Sequence, residues 1–321
     1  MSALTHKEWR AVAVSAALLG VAALLPVFDQ GFVLSLSLNI VMYMVLCTAW
    51  TLFSGPTHYI SLATAAFFGI GTYAVALGIG TLPFPLLVLI GAGGAALLAA
   101  VVGLATLRLS GVYFVIFTLG LAELMRQVVT WLQTQFGSAL GLYVLTDFRE
   151  MHIYWMLLGV GALVYLVGFL INRSRLGFAM RIIGNDETVA RHVGVDTARA
   201  KVILFTVSGA FIGAVGAILA PRYSYVTSPA AFNPMISFQV VIMALLGGTN
   251  RLWGPLLGVI PFTILFDQIS AYFPNHTSLA IGIAFMAIVY LLPRGVLGVW
   301  EDIVRLRGRV RIAPAGEKAR T

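Results

Sequence analysis

Charge is what this sequence has least of. Only 10% of its 321 residues are Asp, Glu, Lys or Arg, whereas 60% are hydrophobic and the mean hydropathy is +0.96. A chain so poor in charge cannot cover a folded surface with solvated groups, which excludes a water-soluble fold. Cysteine is scarcer still: Cys47 stands alone inside an apolar run, so no internal disulfide forms and the thiol is inert. Lysine occurs only as Lys7, Lys201 and Lys318, which follow His6, Ala200 and Glu317. A Walker A loop needs a lysine directly after a glycine to hold phosphate, so the chain cannot hydrolyse ATP by itself. The five histidines (His6, His58, His152, His192 and His276) are scattered, without a metal-ligand partner at helical spacing, and no G-x-S-x-G occurs. No catalytic residue, metal or cofactor is expected, and the chain reads as a conduit rather than an enzyme.

What the sequence has is apolar runs. A helix needs about 20 such residues to cross a bilayer. Runs of that kind recur at 11–28, 32–53, 59–80, 86–107, 112–132, 152–171, 202–220, 235–247, 255–273 and 278–292, the eighth being short. The expected fold is an all-α polytopic membrane protein of about ten transmembrane helices in a single membrane domain, 1–321. Loops facing the cytoplasm carry an excess of Lys and Arg. With Lys7 and Arg10 inside and ten spans, all of the 20 Lys and Arg residues except Arg126, within a span, and Arg149 and Arg222, outside, fall on the cytoplasmic side. Both termini are then cytoplasmic. The net charge of +8 marks orientation and not nucleic-acid binding, and the basic tail, about 294–321, lies against anionic lipid.

Small residues at four-residue spacing let membrane helices approach closely. Ser61, Ala65 and Gly69 form one such ladder and Gly209, Gly213 and Ala217 another, while 86–107 is dense in Gly and Ala. Polar groups within spans are few. Glu123 sits near the middle of the fifth and can pair with Arg126 at i,i+3; Asp267 lies toward the outer half of the ninth and Gln239 in the short eighth. Each should avoid lipid, facing the bundle interior or water. They are candidate groups near a solute path, although Glu123 and Arg126 also read as a pair locking their helix to its neighbours.

One charged stretch interrupts the apolar runs: RLGFAMRIIGNDETVARHVGVDTARAK, from Arg175 to Lys201, within a loop of about 173–201. Asn185 is placed to cap a helix with Asp186 and Glu187 in its first turn, where the helix dipole favours negative charge. Gly194 stops it, and Asp196 caps the seventh span. Two turns are marginal alone, so the helix rests on something. Val189 and Val193 share a face. The segment is either an interfacial helix lying on lipid or on the protein's own inner ends, or a peg for a socket on a soluble partner.

Here the chain resembles ABC importer permeases, whose cytoplasmic loop docks on an ATPase subunit. Gly177, Phe178, Ala179, Met180 and Arg181, then Asn185, Asp186, Glu187 and Ala190, then Gly194 and Val195 look like that loop. The nearest likeness is the Liv-type permease of branched-chain amino acid importers. It extends to LRLSGVYFVIFTLGLAELMR (107–126), LGGTNRLWGPLLG (246–258) and LLPRGVLG (291–298). The resemblance implies a type II importer fold and a path formed with a second, often different, permease subunit. It implies two ABC ATPase subunits, a periplasmic or extracellular substrate-binding protein, and an amino-acid substrate, branched-chain or a related hydrophobic or amide solute. Gly177, Arg181, Asn185, Asp186, Glu187, Val189, Ala190 and Gly194 would couple to the ATPase in an inner membrane. Two stretches depart from the family pattern: HYISLAT, with His58, Tyr59, Ala63 and Thr64 altered, and QFGSALGL (135–142). Both bear on the path or its outer mouth, so the resemblance carries the transporter class further than the solute. A proton- or sodium-driven carrier using Glu123 or Asp267, or a channel for a small neutral solute, are the competing readings.

Overall fold

Long apolar runs leave backbone groups with no water to bond, and a helix satisfies them within the segment. In the computed structural model, which describes residues 31–106, 111–136, 141–249 and 254–291, helices follow one another as α1 (Phe32–Thr57), α2 (Thr64–Gly78), α3 (Phe84–Thr106), α4 (Val112–Phe136), α5 (Glu150–Arg173), α6 (Arg175–Asn185), α7 (Glu187–His192), α8 (Thr197–Leu219), α9 (Ser228–Ala231), α10 (Pro234–Gly247), α11 (Gly254–Tyr272) and α12 (Thr277–Leu291). Two short strands, β1 (Gly141–Tyr143) and β2 (Tyr225–Thr227), pair antiparallel with Leu142 opposite Val226. The run 11–28, Lys7, Arg10, the basic tail and the motif residues 107–110, 137–140, 250–253 and 292–298 lie outside the described residues.

Seven of these segments are long and apolar enough to cross a membrane: α1, α3, α4, α5, α8 with the 3-10 turn after it, α9 and α10 taken together, and α11. The expected count of ten is not reached among the described residues, because the run 11–28 lies outside them and α2 and α12 have 15 residues each. The run 59–80 is apolar throughout, yet its helix starts only at Thr64. The chain leaves α1 at His58 in the left-handed region (φ 58), and 58–63 is not helical. The short eighth run is completed by the single turn of α9, so that Ser228–Gly247 reaches 20 residues.

The core is built around α1 and α8. Nineteen of the residues of α1 are buried, around its whole circumference, with α5, α8, α10 and α11 packed against it. α8 in turn lies against α2 and α3. That contact is close because it is made of glycine and alanine: a methyl added at Gly71 would collide with the Gly213 carbonyl, one at Gly216 with the Phe68 carbonyl, and one at Gly209 with Ala99. The Gly209–Gly213–Ala217 ladder is therefore a real helix contact. The Ser61–Ala65–Gly69 ladder is not a single helical face, since Ser61 falls in the break.

Charge sorts the two ends. Arg173 closes α5, and Arg175, Arg181, Arg191, Arg199 and Lys201 follow through α6, α7 and the start of α8. Arg149 precedes α5, and Arg222 follows α8 and lies 3.5 Å from Glu150. Arg222 also donates to Asn39 and Ser35 of α1, at 2.7 and 2.9 Å, clamping the end opposite the basic one.

Candidate coupling segment and path face

Two short helices, α6 and α7, form the basic end. Ser174 caps α6, its hydroxyl accepting from Gly177 N–H. Gly177 is required there because a side chain would strike the Ile171 carbonyl. Arg181 closes the elbow between α5 and α6, donating to the Asn172 carbonyl at 2.8 Å and the Gly177 carbonyl at 3.3 Å. At the end of α1, His58 Nδ1 lies 2.9 Å from the Gly184 carbonyl oxygen and donates to it. Between these elements lies a cavity of about 550 Å³, lined among others by Thr51, His58, Asn172, Arg181 and Thr249.

The cap of α7 is Asp186 and not Asn185, which is the last residue of α6. Asp186 takes the extended conformation (φ −158), and its carboxylate accepts from Thr188 and Val189 N–H at 2.7 and 3.2 Å. Those two bonds hold its pKa below the usual carboxylate value. Gly194 stops the helix with φ +84, a conformation that glycine adopts freely. Asp196 caps α8 by accepting from Arg199 N–H.

Glu187 does not face outward with Asp186. It turns back into the protein, where Lys201 Nζ donates to it at 2.7 Å, Tyr59 Oη at 3.0 Å and Arg191 at 2.9 Å. Partial burial alone would raise its pKa, but the hydrogen bonds from Lys201 and Arg191 and the Lys201 charge outweigh that and hold it down to about 2. Ala190 is buried beneath α7. Among the exposed residues of the segment are the apolar Phe178, Val189 and Val193, at 65%, 50% and 67%, beside the exposed polar Arg181, Thr188, Arg191 and His192.

Two residues of this cluster, Tyr59 and Lys201, carry more of its geometry than a sequence reading assigns them. Lys201 counts only as an orientation charge and Tyr59 only as a departure in HYISLAT. In the structure Lys201 is 1% exposed. HYISLAT starts at the basic end beside α7, with His58 against the Gly184 carbonyl and Tyr59 against Glu187. Its non-helical backbone is satisfied by side chains from several helices: Trp50 donates to the Ser61 carbonyl at 2.7 Å, and Thr118 accepts from Leu62 N–H at 3.0 Å. The buried Ser237 hydroxyl accepts from Ala65 N–H and donates to the Leu62 carbonyl, at 2.9 and 2.8 Å. Broken helices in membrane proteins need such compensation.

The other polar feature lies on α4. Arg126 grips Glu123 through both carboxylate oxygens, and Gln127 donates to the same carboxylate at 2.9 Å. Among the described residues these bonds stay within α4. Glu123 is 48% and Arg126 29% exposed, on a face with Leu124, Val128 and Trp131. Gln239 is elsewhere, buried at 4% and bonded to Tyr43 within the bundle, and Asp267 is partly exposed on α11. Neither bonds to Glu123 or Arg126 among the described residues. Nor, among these, do any three His, Cys, Asp or Glu residues gather as metal ligands.

Comparison with known proteins agrees with this architecture. Residues 32–292 match the family model described as branched-chain amino acid transport system / permease component. The chain is 26% identical to the high-affinity branched-chain amino acid transport system permease protein LivM of Escherichia coli (strain K12), over 86% of this chain and 72% of that protein. It is 27% identical to LivH of the same organism, a permease protein of the same transport system, over 43% of this chain and 47% of LivH. It is 28% identical to the guanosine ABC transporter permease protein NupP of Bacillus subtilis (strain 168), over 48% and 45%. No solved structure matches the chain.

Proposed function

This chain belongs to the family of branched-chain amino acid transport permease components, and from that premise we propose that it forms one half of the pore of an ATP-driven amino-acid importer. It is a multi-pass inner-membrane protein and the permease of an ABC importer. A second permease subunit, different from this one as LivM differs from LivH, completes the path. ATP hydrolysis resides on two separate ATPase subunits, and a binding protein delivers the solute. Branched-chain or related hydrophobic or amide amino acids are the solute class that the LivM likeness supports. The basic end is cytoplasmic on this reading, and ten spans with both termini inside complete the topology.

The observation that carries this reading is the small capped segment at the basic end. α6 and α7 are held to the bundle by the buried Gly177 and Ala190, by Arg181 at the elbow and by Glu187, gripped by Lys201 and Tyr59, while Phe178, Val189 and Val193 are exposed. A six-residue helix with a rigid base and two exposed valines at its tip fits a socket on a soluble partner. Asp186 and Glu187 are occupied within the chain, as cap and brace, so the tip and not the carboxylates makes the contact. Glu123, Arg126 and Gln127 support a second element of the reading, a path between α4 and the partner permease. A carboxylate and a guanidinium mid-span cost a few kcal/mol against lipid, so this face belongs against water or protein.

The test is uptake by proteoliposomes holding both permeases and the ATPases, supplied with binding protein. Labelled leucine should accumulate only with ATP. Accumulation driven by a proton or sodium gradient without ATPase subunits would overturn the importer. Val189→Asp combined with Val193→Asp should weaken ATPase retention about tenfold or more, while membrane insertion persists. Undiminished co-purification would move the docking contact elsewhere.

A further inference from the structure

An ammonium removed from water is costly unless it is paired, and Lys201 is almost completely buried. Its surroundings are the Glu187 carboxylate at 2.7 Å, the Tyr59 hydroxyl at 3.1 Å and the face of the Tyr59 ring, 4.4 Å to the centroid. Three elements therefore meet at one charged point: α7, the foot of α8, and the broken stretch 58–63. With six residues, α7 has little stability of its own, so its position relative to the bundle is set here.

The same point reaches α4. The Tyr59 ring stands edge-on to Phe114 at 5.5 Å, and Phe114 continues into Phe53 and Phe205 at 6.0 and 6.1 Å. Leu62, a little further along the stretch, bonds Thr118 on the next turn of α4. Phe114 lies about two and a half turns from Glu123 along a continuous helix. Stretch 58–63 is thus pinned to α7 at one end and to α4 at the other. Since it is not helical, its movement would break no helix ladder, only the side-chain bonds from Trp50, Thr118 and Ser237.

We infer that Tyr59, gripped by Lys201 and Glu187, is the positioning residue that carries movement of the peg to α4 and so to the path face. The inference rests on the importer reading, in which α7 is moved by an ATPase. A static brace would use the same contacts, so the two must be separated by function. Movement transmitted through the node makes solute transfer depend on the Tyr59 hydroxyl even when assembly does not.

The experiment uses the full complex in proteoliposomes, with ATP hydrolysed and leucine accumulated measured in the same vesicles. Tyr59→Phe removes one hydroxyl and keeps the ring. It should retain the ATPase subunits and the thermal midpoint of the complex, and leave ATP hydrolysis running, but move about fivefold less leucine per ATP or worse. Lys201→Met should do the same, with Lys201→Arg restoring part of the ratio. If Lys201→Met fails to assemble, Tyr59→Phe decides alone. An unchanged ratio in Tyr59→Phe overturns the inference, as does a loss that tracks a lowered midpoint. A wild-type complex that moves nothing on ATP overturns the importer itself, a failure visible before any variant is made.

Discussion

One hydroxyl serves the break between α1 and α2 twice over. Ser237 is fully buried and serves two backbone groups, one on each side of the start of α2. Replacing it with alanine leaves a buried N–H and a buried carbonyl with no partner, at a cost of about 1–3 kcal/mol. Thr106→Val is the matching control, since among the described residues the Thr106 hydroxyl returns to the Val102 carbonyl within its own helix. Unfolding in detergent should show a clear loss for Ser237→Ala and little for Thr106→Val; equal shifts would mean that water reaches the break. Neither this site nor the Lys201 node was legible in the sequence. Ser237 and Leu62 are 175 positions apart and Lys201 and Tyr59 142, and nothing local to either residue points to the other. What the sequence could flag was rarity: Lys201 is one of only three lysines, and Tyr59 stands where HYISLAT departs from its family.

At the scale of elements, periodicity and small-residue spacing are local properties, and they carried further. Helices stand at the positions of the apolar runs within the described residues, and the Gly209–Gly213 ladder is the α8 surface that α3 covers. Composition could not say which glycines matter. Gly213 faces Ala95 and the Gly91 carbonyl, whereas Gly93 of the same glycine-rich span faces open space. Gly213→Ala should therefore overpack the α3–α8 contact and lose about 1–3 kcal/mol. Gly93→Ala should be neutral or gain up to about 1 kcal/mol from helix propensity. Melting of the two variants in detergent checks the contrast, and similar behaviour would mean that α3 and α8 are not in this contact. The cap of α7 shows the opposite limit. Asn185 and Asp186 are both good capping residues, and only the end of α6, whose Ile182 carbonyl accepts from Asp186 N–H, decides between them.

At the scale of the whole molecule, α4 carries the Glu123–Arg126–Gln127 group near mid-span, beside large apolar side chains, and among the described residues Glu123 is left about half-exposed. The i,i+3 pairing was readable from the sequence, but its direction was not, because a helix does not announce which side its neighbours take. A lipid-facing carboxylate is unfavourable, whereas a path between two permeases keeps the group wet. The sole cysteine, Cys47, is buried, so introduced thiols report with little background. In the assembled complex, Gln127→Cys should react with a hydrophilic, membrane-impermeant maleimide, and added leucine with binding protein and ATP should change its rate. Leu163→Cys, mid-span on α5 and half-exposed among apolar side chains, should stay unreactive because lipid excludes the reagent. If both cysteines resist equally, α4 lies in lipid or in a dry interface, and the path runs through another face of the bundle.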